Sequence, residues 1–166
     1  MSKLVCMAGL LLWAGVVAAS GRDASIGQPV EPTQTMPTEM PANSIENDKQ
    51  VRALLNQMLV LWNAHDIEGY LKFFWASDGL LVVQDGLPIF GWRKLRERYL
   101  RFYADRNQMR TMTLEGAKIE VFDDHFAQAL CRWSANSQET KSYLIDVTLF
   151  RRFSEGWAIV SREIFD

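Results

Sequence analysis

Cysteine and histidine are scarce, with two of each in 166 residues. Cys6 lies near the start of an N-terminal apolar run, so a chain processed after that run keeps only Cys131 and has no partner for an internal disulfide. His65 and His125 without a cysteine cluster do not make a metal-ligand set, and no metal or other cofactor is expected. Neither histidine neighbours Cys131 in sequence, so Cys131 reads as a small buried apolar residue and not as a nucleophile. Surplus charge is also lacking. Lysine plus arginine number 18 against 20 aspartates and glutamates, and from Lys49 onward the count is 16 against 15. That balance excludes the basic footprint of a nucleic-acid-binding protein.

Proline is concentrated in one place. Pro29, Pro32, Pro37 and Pro41 fall between Gly21 and Asn43, among Ser, Thr, Gln and Glu with almost nothing to bury, which reads as a disordered linker over 21–43. Ahead of it, Lys3 precedes an unbroken apolar stretch from Leu4 to Ala19 that ends in Val17-Ala18-Ala19-Ser20-Gly21. A short apolar segment followed by small residues is the pattern of a signal peptide, residues 1–20, and places the protein outside the cytoplasm, periplasmic or secreted. Contact with a membrane is expected only through an uncleaved signal. The remaining residues, 44–166, are enough for one hydrophobic core.

Within that part the apolar periodicity changes once. Val51, Leu54, Leu55, Met58, Leu59 and Trp62 recur at helical spacing, predicting a helix over 44–64 with Ser44 as its cap. Asp66 caps a second, short helix running to about Trp75, with His65 in the turn between. Residues 80–84 and 88–90 read as a hairpin turning at Asp85-Gly86, and 92–104 as a third helix with Trp92, Leu95 and Tyr99 on one face. Its arginines, Arg93, Arg96, Arg98 and Arg101, spread around the cylinder and read as a solvated face. From Thr111 the period is two, with strands over 126–135, 142–153 and 157–165. Helices followed by hairpin-linked strands give the α+β class: three N-terminal helices packed on one face of a curved, mainly antiparallel sheet.

The segments LWNAHDIEGYLKFF (61–74), DGLPIFGWRKLRERY (85–99), AQALCRW (127–133), VTLFRR (147–152) and GWAIVSRE (156–163), in this order, resemble the nuclear transport factor 2-like superfamily, which includes the ketosteroid isomerase-like and SnoaL-like proteins. The closest likeness is to SnoaL-like proteins of undefined activity. The resemblance implies a cone-shaped sheet wrapping a cavity and a homodimer through the sheet's outer face. It does not imply one reaction, because members of the superfamily differ in activity. Ser161, Arg162 and Glu163 stand where such relatives often carry a His-Asp pair, so a histidine-dependent mechanism is not carried over.

One residue in the strand pattern is out of place. Asp146 interrupts SYLIDVTLF (142–150), and strand parity puts it with Leu144, Thr148 and Phe150 on one face, opposite Tyr143, Ile145, Val147 and Leu149. If its face lines the cavity, Asp146 and Thr148 are the polar fittings of a pocket walled by aromatics, drawn from Trp62, Tyr70, Trp75, Trp92, Tyr99 and Trp133. Asp146 would then serve as general base, with Tyr70 or Tyr99 as hydrogen-bond donor. The other reading pairs Asp146 with Arg132 or Arg162 in a structural ion pair, which leaves Arg162 at the cavity wall. Two functions follow from these readings: a non-catalytic module that binds a small apolar molecule or assembles as a dimer, and a lyase, isomerase or hydrolase working through Asp146. The first is favoured because no complete acid/base constellation is visible.

Overall fold

The computed structural model describes residues 43–136 and 141–165; the expected signal over 1–20 and all but the last residue of the expected linker over 21–43 lie outside the described residues. Helix α1, Ser44–Asn63, follows the predicted periodicity and buries Val51, Leu55 and Met58. Its cap is Asn43 and not Ser44, which forms the first helical residue. Asn43 makes no capping hydrogen bond. Its side-chain amide donates instead to Asp124, as does that of buried Asn47, so the helix start is fastened to the turn after β3, Thr111–Val121.

Helix α2 spans Ile67–Leu71 only. Asp66 caps it as expected, accepting from the Gly69 N–H at 2.8 Å. The predicted extension to Trp75 is replaced by a turn at Lys72–Phe73 and a bridge from Phe74 to Ile159, because the backbone finds partners in the sheet. Ile159 N–H donates to Phe73 O at 2.8 Å and Trp75 N–H donates to Ile159 O at 2.9 Å.

The hairpin β1, Leu81–Gln84, and β2, Leu87–Phe90, leads through Gly91 into α3, Trp92–Phe102. Gly91 has φ of +87°, a conformation that side chains disfavour, and it turns the chain sharply from strand to helix. A 3₁₀ turn at Arg106–Gln108, absent from the sequence expectation, then brings the chain to β3. Strands β4, Phe126–Asn136, β5, Lys141–Phe153, and β6, Gly156–Phe165, complete a six-stranded sheet in the order β2-β1-β6-β5-β4-β3. Every neighbour is antiparallel except β1 and β6, which run parallel.

Two register shifts curve the sheet and redirect its side chains. In β3 the step falls between Leu114 and Gly116. In β6 one extra residue, Val160, stands opposite the Leu149–Phe150 step of β5. Ile159 and Arg162 are three apart and would normally face opposite sides of a strand, yet both are buried toward the helices. The core sits between this concave face and the helices: Phe150, Ile159 and Val82 of the sheet meet Leu55, Leu71 and Leu95, all essentially inaccessible to water.

Candidate functional site

At the wide end of the concave face the helices leave a cavity of about 550 Å³. One wall is aromatic. Trp62 lies edge-on to Tyr70 and Tyr103, each at 5.2 Å between ring centroids, and Tyr70 stacks on Tyr99 at 5.9 Å. The Trp62 indole N–H donates to Arg110 O at 2.9 Å, which joins α1 to the start of β3. Trp133 and Leu144, register partners on β4 and β5, form the sheet side.

Asp146 is 1% exposed and lies beneath this cavity, outside its lining. Oδ2 accepts from the Trp133 indole N–H at 2.8 Å and from Arg162 Nε at 2.9 Å, and Arg162 Nη2 bonds the same oxygen. Oδ1 accepts from the Thr148 hydroxyl at 3.2 Å. The β6 bulge makes the ion pair: Arg162 is in register with Thr148, two residues from Asp146, and shares its face. Arg132 is in register with Ile145 on the opposite face, where its guanidinium covers the Tyr143 ring at 4.7 Å.

Arg162, 7% exposed, does line the cavity and also donates through Nη1 to the Tyr70 hydroxyl oxygen. Burial works to discharge its guanidinium, but the Asp146 carboxylate against it outweighs that and holds it charged. Burial, with Tyr70 alongside, raises the Tyr99 phenol well above its ordinary value, so Tyr99 stays protonated as a hydroxyl donor. Burial raises Tyr103 as well, opposed by Arg110 and Arg162, both of which it feels. Cys131 is fully buried, and its thiol is pushed up to about 12 by burial and by the nearby Asp146 charge.

The structure therefore brings Trp62, Tyr70, Tyr99, Trp133 and Arg162 to one cavity and sets Asp146 and Thr148 directly below it. Trp75 and Trp92 lie elsewhere. Trp75 stacks on Phe153 at 5.7 Å, and the Trp92 indole donates to Leu71 O at 3.1 Å. Tyr103 and Arg110 were not among the residues expected from the sequence; Tyr103 was legible as the last aromatic of the third helix, whereas Arg110 carried no local signal. Among the described residues, no three or more His, Cys, Asp or Glu side chains converge as a metal site, and no helix is long and apolar enough to cross a membrane.

A curved, unclosed sheet of this strand order, with three helices over its concave face and a cavity at the wide end, defines an NTF2-like fold. Solved structures agree. An NTF2-like protein of unknown function from Shewanella oneidensis MR-1 matches with a TM-score of 0.68 and 18% identity, over 72% of this chain and 98% of that one. One from Pseudomonas putida KT2440, also of unknown function, matches at 0.63 and 14%, over 74% and 90%. A putative calcium/calmodulin dependent protein kinase II association domain from Xanthomonas campestris matches at 0.58 and 7%, over 70% and 84%. At these identities the likeness is one of fold. No protein-family model and no curated protein matches the sequence.

Proposed function

We propose that this chain is an exported NTF2-like module that binds a small, mainly apolar molecule in its cavity without transforming it, and that it pairs with a second copy through the outer face of its sheet. The observation that carries the non-catalytic reading is the state of Asp146. Its two oxygens together accept from Trp133, Thr148 and Arg162, and the carboxylate does not reach the cavity surface. A general base needs a free lone pair within hydrogen-bond reach of the substrate. The lyase, isomerase or hydrolase reading would require Asp146 to leave Arg162 buried and uncompensated. Binding asks for less. A cavity of this volume, walled by Trp62, Tyr99 and Tyr103, lies inside the range of roughly 300–1,000 Å³ typical of small-molecule sites.

Titration with Nile red, an uncharged apolar dye, tests this reading. Dye fluorescence should rise saturably with the full chain and fail to rise with Leu144→Trp, which fills the cavity from the sheet side. No saturable signal from the wild type, or an equal signal from the filled variant, removes the reading. Export is supported by the Leu4–Ala19 run and the small residues after it.

A further inference from the structure

We infer that the cavity is built for an amphipathic organic anion, a molecule with a flat apolar body whose carboxylate meets Arg110 at the mouth and whose uncharged oxygen acceptor meets Arg162 and Tyr70 at the buried end. This rests on the small-ligand reading and narrows it to a chemical class.

Among the described residues, the lining includes two arginines and no aspartate or glutamate. The arginines differ in their charge balance. Arg162 already spends its charge on Asp146, in contact beneath the cavity. Placing a ligand carboxylate there would put a second anion on one buried guanidinium, with desolvation on both sides. What Arg162 still offers is hydrogen: three of its five N–H groups go to Asp146 and Tyr70, and the other two remain on Nη1 and Nη2. Tyr70 accepts from Arg162, so its own proton is left to donate. Free N–H groups around a charge already balanced match a carbonyl or ether oxygen.

Arg110 is the reverse case. It is exposed, and among the described residues no carboxylate stands within ion-pair distance of it. Its Nη1 donates to Ser142 Oγ at 3.2 Å, which carries the guanidinium from the start of β3 across to the start of β5 at the cavity rim. Arg162 is offset by Asp146, which leaves the Arg110 guanidinium to meet a ligand carboxylate. Between the two ends, Trp62, Tyr99 and Tyr103 supply the flat apolar surface that a ring or chain would cover.

Three probes of similar ring size separate the possibilities in fluorescence titrations of the full chain: 2-naphthalenemethanol, 2-naphthoate and 6-acetyl-2-naphthoate. The expected order of affinity rises through the series. Naphthoate should exceed the alcohol by roughly tenfold, and Arg110→Gln should erase that step, while Arg93→Gln on α3 leaves it intact. Arg110 is exposed, so its replacement does not threaten folding. An alcohol that binds as well as naphthoate overturns the anion assignment and leaves the small-ligand reading standing. A preference that survives Arg110→Gln overturns the placement at the mouth. An acetyl group that adds nothing overturns the assignment of the buried end, and failure of all three probes to bind overturns both the inference and the reading beneath it.

Discussion

Asp146 shows what a single charge can and cannot disclose. A carboxylate between Ile145 and Val147 is conspicuous in the sequence, and strand parity correctly turns it toward the helices. Its partner was one of two arginines, and no local pattern distinguished Arg132 from Arg162, because the choice depends on the bulge at Val160 in a later strand. The pair makes a definite prediction. Asp146→Asn keeps the shape but leaves the Arg162 charge buried without a counter-charge, and urea melts at pH 7 should show a loss of about 3–5 kcal/mol. Thr148→Val removes one hydrogen bond to the same carboxylate and should cost about 1 kcal/mol. An Asp146→Asn variant within 1 kcal/mol of wild type would show that the pair contributes little. Cys131 gives a pH dependence of known sign. Its thiol is raised to about 12 in the fold against about 8.5 in an unfolded chain, so the folded state holds the proton more tightly. Its contribution is full below about pH 8.5 and is lost as pH rises toward about 12. The stability of wild type should therefore fall more steeply across this window than that of Cys131→Ala; parallel curves would contradict the burial of the thiol.

The helices and strands were legible wherever one periodicity ran long enough to be read. Helix α1 and strands β4, β5 and β6 begin and end within a residue or so of their expected bounds. The failures occur where tertiary partners override local preference. Phe73 and Trp75 leave helical conformation to pair with Ile159, and the insertion of Val160 reverses the parity of β6. Neither event has a signature in its own neighbourhood. Gly91 sits between β2 and α3. It ends β2 at positive φ, and an added Cβ would stand 3.4 Å from the Asp78 Cα. Gly91→Ala should cost about 1–3 kcal/mol, read from the shift in the urea midpoint. An unchanged midpoint would mean that the turn relaxes freely.

For the molecule as a whole, the order of elements pointed to the α+β class and the resemblance carried by five segments to the NTF2-like fold, while the cavity's chemistry depended on which side chains the curvature gathered. The pairing of two copies is a proposal with its own support. Leu130, Tyr143, Ile145 and Phe165 are each between 45% and 49% exposed on the strands β4, β5 and β6, with Arg132 between them. An apolar patch spread over three adjacent strands is unusual on a surface that stays in water. Light scattering on the protein should give twice the monomer mass, and Ile145→Asp should halve it without changing the far-ultraviolet spectrum. A wild-type monomer at micromolar concentration would remove the proposal.

The parallel seam between β1 and β6 bears on how the protein is made. Strand β6 sits between β1 and β5 and brings Arg162 to Asp146. While the ribosome is still producing the residues of β5, the hairpin β1–β2 has no neighbour and the Asp146 carboxylate has no cation. Closing the seam joins residues about eighty positions apart, a long loop with a corresponding cost in chain entropy and in speed. A nascent chain of this design cannot complete its sheet until β6 has emerged.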